Sequence, residues 1–212
     1  MELDSGGHLT HGAKASVTGQ YFNAIGYGVT KEGFIDYDHV YRLAQQFKPK
    51  LIICGASAYP RTLDFKRFRE IADEVGAYLM ADISHIAGLV VAGEHPSPID
   101  HAHFTTTSTY KQLYGPRGGL ILIGKDAQSP APDGKGTLAD MVQRAVFPFF
   151  QGTPNLSAIA AKARALAMVV SPEFKRLATL IVADAKVLAQ CLVDKGYNVL
   201  TGGTDNHIVL MD

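Results

Sequence analysis

Apolar residues recur along this chain with two different periods. From Asp36 to Phe47, the side chains of Val40, Leu43, Ala44 and Phe47 fall three or four positions apart, which predicts an amphipathic helix ending before Lys48-Pro49. Phe65, Phe68, Ile71, Ala72 and Val75 repeat that pattern, and Gly76 offers a C-terminal cap. Three other runs, Leu51–Cys54, Tyr78–Asp82 and Gly119–Ile123, are short and almost wholly apolar, as strands buried on both faces are. A row of hydroxyl-bearing residues, Thr105 to Thr109, makes a poor helix and a good strand. Gln20 to Gly33 reads as a short strand and turn, and residues 124–137 as a polar loop. An alanine-rich helix is expected from about Leu156 to Val170. Pro172 then breaks it and opens a second, long helix that reaches Lys195 before Gly196. Strands alternating with helices at this spacing predict an α/β chain: three layers, with a mainly parallel sheet covered by helices on both faces. Residues 1–170 would form one large domain, and residues 171–212 a linker helix with the start of a C-terminal α/β domain. The chain therefore reads as a fragment of a longer protein.

Composition narrows the function classes. A chain of 212 residues can bury a full core. Twenty basic side chains balance twenty acidic ones, so no field is built for nucleic acid or anionic lipid. Cys54 and Cys191 lie far apart in apolar contexts, which fits buried thiols in a reducing compartment. The longest apolar runs are broken well before the roughly 20 residues that a membrane span needs. No basic-then-apolar leader opens the chain. A cytoplasmic protein without membrane or nucleic-acid partners is expected.

The candidate chemistry gathers at the carboxyl ends of the expected strands, where α/β sheets bind ligands. Ser57, Asp82, His85 and Lys111 should converge there. Lys111 leaves the threonine strand just before a breaker cluster, Gly115-Pro116 and Gly118-Gly119, so its amine can reach into a crevice. An Asp82–Lys111 pair has two readings. A surface ion pair would stabilise a loop by at most about 1 kcal/mol. A cofactor cradle would use the carboxylate to keep a pyridine nitrogen protonated and the amine to hold an aldehyde as a Schiff base. His39, His95, His101 and His103 sit in turn or edge contexts, and no metal site is expected among them.

Seven blocks of the chain, in order, resemble the serine hydroxymethyltransferase family. They are Gly6-Gly-His-Leu-Thr-His-Gly12, Gly55-Ala-Ser-Ala-Tyr59, Ala81 to Val90, Thr106 to Lys111, Gly115-Pro-Arg-Gly-Gly119, Val146-Phe-Pro148 with Gln151-Gly152, and Gly202-Gly-Thr-Asp-Asn-His207. The resemblance implies the large domain of a fold type I pyridoxal-phosphate enzyme, with pyridoxal 5'-phosphate as cofactor and tetrahydrofolate as co-substrate. It makes Lys111 the residue that carries the cofactor as an imine, Asp82 the partner of the pyridine nitrogen and His8 the ring that stacks on it. Ser57 and His85 would meet the phenolic oxygen. Leu3, Gly6, Gly7 and Leu9 fall where the family binds folate. Gly152 and Thr153 fall where a neighbouring subunit reaches the cofactor phosphate, which implies a homodimer at least, with a shared active site and an amino acid as substrate.

The chain departs from the family pattern beside the lysine. Tyr110 stands where the family has histidine, and Ser108 where it has threonine; Phe149-Phe150 replaces a small pair, and Thr153 a glycine. A phenol has a reference pKa of about 10 and shuttles protons less readily near neutrality than imidazole. Tyr110 is thus a candidate for altered substrate-side packing, and these changes resemble the branch that accepts α-methylserine and yields alanine. Family elements upstream, a tyrosine, a glutamate and a Ser/Gly pair, and a downstream arginine have no counterpart here. Two other functions remain open: a folate-independent aldolase or transaldolase of β-hydroxy amino acids, and a non-catalytic family member.

Overall fold

A computed structural model describes residues 1–212, and its core is a four-stranded sheet in the order β1-β2-β3-β4. β1 (Leu51–Cys54), β2 (Tyr78–Asp82) and β3 (Phe104–Ser108) run parallel. β4 (Gly119–Leu122) pairs antiparallel with β3. The sheet is therefore mixed, with three parallel strands and one antiparallel neighbour, in keeping with a mainly parallel sheet. Gly118-Gly119 returns the chain directly beside β3, and so short a connection can only give an antiparallel neighbour.

The apolar helices fall where their periodicity put them. α2 (Tyr37–Phe47) starts on Asp36, whose carboxylate accepts the His39 N–H at 2.8 Å. α3 (Phe65–Val75) starts on Asp64 in the same way and ends on Gly76 at φ 71°, a left-handed cap that a glycine adopts freely. α6 (Leu156–Val169) and α7 (Pro172–Asp194) are separated by Ser171, which caps α7 with Pro172 in its first turn. Three short helices carry no such strong period: α1 (Val17–Tyr21), α4 (Ala87–Ala92) and α5 (Leu138–Arg144). The strand expected within Gln20–Gly33 is absent. Glycines interrupt that segment too often to hold a ladder, and only an isolated bridge, Val29 with Ile35, forms there.

One face of the sheet is sealed. Ile52, Cys54, Leu79, Ala81 and Thr105 point into a core closed by Phe65, Phe68 and Ile71 of α3. The other face, with Tyr78, Met80, Asp82, Thr106 and Ser108, is only half-buried. That asymmetry leaves the carboxyl ends of β2 and β3 open beside Asp82. The segment after α7 folds back on the loop after β1. Arg61 bonds Asp205 at 2.8 Å, Asn206 donates to the Tyr59 carbonyl at 2.9 Å, and Thr204 donates to the Pro60 carbonyl at 3.0 Å. No helix is long and apolar enough to cross a membrane.

Phe68 is fully buried between the sheet and the Tyr27 and Tyr37 rings. Phe68→Ala should lower unfolding free energy by about 3–5 kcal/mol, the usual cost of a large core cavity, in equilibrium urea unfolding of the full chain. A loss under about 1 kcal/mol would mean that α3 does not anchor this core.

Candidate active site

Ser57, Asp82, His85 and Lys111 stand at or just past the carboxyl ends of β1, β2 and β3, and His8 and His11 come from the loop Gly6–Gly12 near the start of the chain. Asp82 closes β2, and its neighbours on either side crowd it into place. Gly55, at φ 126°, passes so close to the Asp82 carbonyl that any Cβ there would collide with it. Ser84 folds back so that its N–H, at 3.0 Å, and its hydroxyl, at 2.6 Å, both donate to Asp82 Oδ1. The same hydroxyl accepts the Ser108 N–H at 2.9 Å, which ties the ends of β2 and β3 together.

The second carboxylate oxygen meets a histidine. His11 Nε2 lies 2.8 Å from Asp82 Oδ2, and the His11 side chain is 5% exposed. Burial works against charge on Asp82, but the donors from His11 and Ser84 outweigh it and hold the carboxyl down at about 2. Asp82 is thus an anion at neutral pH. Its side-chain partners are His11 and Ser84 and not Lys111, so the surface-pair reading of Asp82 and Lys111 has no contact behind it.

His8 and His11 share the loop Gly6–Gly12, which makes one 3-10 turn, Leu9–His11, capped by the His8 ring. His8 Nδ1 lies 2.7 Å from the Thr10 hydroxyl, and its ring centroid lies 5.4 Å from that of His11 and 6.3 Å from that of His85. Burial lowers the basicity of both His8 and His85. The neighbouring imidazole and the Lys111 ammonium lower it further at each ring, and the Asp82 carboxylate works the other way. Lys111 thus belongs to the same cluster as the three imidazoles and Asp82. Ser57 also borders it: the Ser57 and Ala58 N–H groups both donate to the Gly6 carbonyl, at 2.9 and 3.1 Å, which joins the loop after β1 to the histidine loop.

Lys111 stands on a loop closed at its neck by Thr109. The Thr109 N–H donates to the Gly118 carbonyl, its hydroxyl to the Pro116 carbonyl, and its carbonyl accepts the Gly115 N–H. The Tyr110 ring lies beside the amine, 5.4 Å from Lys111 Nζ, and is itself covered by the Arg117 guanidinium at 4.4 Å.

The remaining residues stand outside this cluster. Leu3 and Leu9 are about half exposed, Gly6 lies against the Ala58 backbone and Gly7 against that of Met1 and Glu2, and Gly152 and Thr153 are exposed on the segment before α6. Two histidines are not the edge residues that their contexts suggested. His95 is buried and accepts the Leu63 N–H at 3.2 Å, and His103 accepts the Leu79 N–H at 2.9 Å. Both serve as backbone acceptors within the fold. Sequence reasoning missed His11 and Ser84 as partners of Asp82. The paired imidazoles of the glycine loop were visible, but nothing in their spacing said which would reach a carboxylate 71 residues away.

An amine on a strand-exit loop, an ionised carboxylate on the neighbouring strand and imidazoles around both define an α/β protein with a lysine–carboxylate crevice. The model of the family described as serine hydroxymethyltransferase matches residues 1–212. A probable serine hydroxymethyltransferase of Rickettsia bellii is 56% identical over 213 residues, covering 100% of this chain and 48% of that protein. Serine hydroxymethyltransferases of Rickettsia akari and Rickettsia africae are each 54% identical with the same coverage. The chain belongs to the serine hydroxymethyltransferase family. It spans about half the length of these relatives.

The bonds to Asp82 carry a pH signature. A carboxyl held at about 2 when folded, against about 3.9 when unfolded, stabilises the fold by about 2 kcal/mol above pH 5, and this is lost as pH falls through 4 toward 2. Asp82→Asn should remove that part of the acid dependence. Urea unfolding of both proteins at pH 6 and pH 3 checks it: the difference between them should shrink markedly at the lower pH.

Proposed function

We propose that the chain carries the lysine side of a pyridoxal-phosphate-dependent hydroxymethyltransferase, which cleaves the Cα–Cβ bond of serine or α-methylserine and passes the one-carbon unit to tetrahydrofolate. The observation that carries this reading is the convergence of Lys111, ionised Asp82, His8 and His85 at the open ends of β2 and β3. The residues fit such a cofactor. Asp82 accepts three hydrogen bonds, leaving one of a carboxylate's roughly four acceptor positions for a pyridine N–H. Ser108 Oγ, two residues beyond the partner of Asp82 on the same face, is buried without a hydrogen-bond partner.

Lys111 would hold the aldehyde carbon and Asp82 the ring nitrogen, with His8 against the ring face and Ser57 and His85 at its hydroxyl. When bound, pyridoxal phosphate supplies an electron-withdrawing ring that accepts the electron pair left on the α-carbon as the hydroxymethyl group departs. The protein's part is to keep Asp82 ionised, through His11 and Ser84, so that the ring nitrogen stays protonated. Burial and the nearby ammonium keep His8 and His85 neutral near pH 7, able to accept a proton at a ring nitrogen.

The exposed Leu3 and Leu9, beside Gly6 and Gly7, offer an apolar surface for the flat ring of folate. The exposed Gly152 and Thr153 are free to reach a second copy's site, so a homodimer with shared sites and a cytoplasmic setting belong to this reading. It also includes the three-layer fold type I large domain on residues 1–170. Residues 171–212 would then lead into a C-terminal domain. Tyr110 favours α-methylserine as the substrate. Its ring is fixed by Arg117 next to the reacting amine and reshapes the wall where the family has a smaller imidazole.

The full chain, supplied with pyridoxal phosphate, should convert serine to glycine or α-methylserine to alanine, and only when tetrahydrofolate is present. Lys111→Ala should abolish turnover. Tyr110→His should shift preference toward serine by about tenfold in kcat/KM, in keeping with the worth of one methyl group in a fitted pocket. Turnover without folate would make the protein an aldolase. A colourless protein that gains no visible band with pyridoxal phosphate would be a non-catalytic family member.

A further inference from the structure

One side chain ties the loop of Lys111 to the helix that follows His85. Gln112 Oε1 accepts the Gly88 N–H at 3.1 Å and the Leu89 N–H at 3.4 Å. Both amides belong to the first turn of α4, whose N-cap residue, Ile86, makes no side-chain capping bond. Loop and helix are also in direct contact: a Cβ on Gly88 would meet Gln112 Cβ at 2.8 Å and the Gln112 carbonyl at 3.1 Å. Every other hydrogen bond at the neck of the loop closes it upon itself, through Thr109 and through the Tyr114 N–H to the Lys111 carbonyl at 3.0 Å. Tyr114 turns the chain at φ 54°, a left-handed conformation that a non-glycine residue holds only when its surroundings impose it.

A cap alone would add modestly to the stability of a helix of six residues that gains little from propensity. The position of the cap gives it more to do. Gln112 adjoins Lys111 in the chain, and Gly88 lies three residues past His85, so this contact joins the two limbs of the site beyond the strand ends, as the Ser84–Ser108 bond joins them at the strand ends. We infer that Gln112 is a positioning residue, which sets the separation of Lys111 from His85 by clamping the lysine loop to the first turn of α4.

The inference rests on the proposed cofactor role only where Lys111 is concerned; its effect on His85 is independent of any cofactor. His85 is faced by Lys111 from the loop after β3, by His8 from the glycine loop, by Asp82 from the end of β2 and by His207 from the segment after α7. Burial lowers its basicity most, and the Lys111 ammonium comes next. Releasing the clamp moves that ammonium away, so His85 should titrate higher.

Two variants of the full chain test this. Gln112→Met keeps the length and removes the acceptor; Gln112→Asn keeps the amide and falls one methylene short, the gentler change should the first not fold. The first readout, without cofactor, is the pH midpoint of His85 modification by diethyl pyrocarbonate, followed by peptide mass spectrometry. It should rise by about half a pH unit. The second is the rate at which pyridoxal phosphate becomes fixed to Lys111 by borohydride, which should fall about fivefold. A merely structural cap would lower the thermal midpoint and leave both readouts at the wild-type values, and that result overturns the inference. If wild-type Lys111 takes up no pyridoxal phosphate while the His85 midpoint still shifts, the cofactor reading falls and the positioning role stands.

Discussion

Everything at the open end of this sheet depends on how Asp82 is kept ionised. A carboxylate at a strand end with the side chain four-fifths buried would, left to itself, take up a proton to avoid the cost of desolvation. Three donors prevent that: the His11 ring and both the amide and the hydroxyl of Ser84. The donors come from two separate constraints. Ser84 is placed by the tight turn out of β2. His11 is placed by the glycine loop, which is itself pinned through Gly6 to the turn after β1. The charge is thus a property of three loops packed together, and removing any of them would return Asp82 to an ordinary acidity or neutralise it.

The same packing explains why the imidazoles are less basic than free histidine. A crevice that must hold both an anion and an ammonium cannot also host several imidazolium ions, because the like charges at these spacings repel one another. His8 and His85 answer this by staying neutral, which leaves Lys111 as the cation that faces them. Neutral rings also present flat faces and free ring nitrogens, the properties that an aromatic ligand can use.

Long-period features were legible in the sequence. The helices Tyr37–Phe47, Phe65–Val75 and Pro172–Asp194 follow directly from apolar spacing and cap residues, and the three parallel strands from short apolar or threonine runs. What escaped was decided by contacts distant along the chain. β4 runs antiparallel because its entry loop is short, a matter of topology that its own apolar residues do not record. His95 carries the same surface-like neighbours as His101, yet it is buried because α3 brings Phe65 against its ring and the Leu63 amide needs an acceptor. Within the site, the residue types at Ser57, Asp82, His85 and Lys111 marked the strand ends, but the pairing of Asp82 with His11 joins positions that only the folded loops bring together.

The departures beside Lys111 form a coherent local arrangement. Tyr110 could swing freely on an exposed loop, but Arg117 covers one part of its ring while Lys111 lies beside another, so two cations bracket a single phenol. Exposed cation–aromatic contacts of this kind are each worth about 0.5–1 kcal/mol, enough together to favour one rotamer and too little to hold the loop alone. The loop itself is held by Thr109 at its neck and by Gln112 on α4. Backbone ties therefore fix where the amine stands, while the residue next to it remains free to vary in size. That separation lets a chain change the wall of its site without disturbing Lys111 and Asp82.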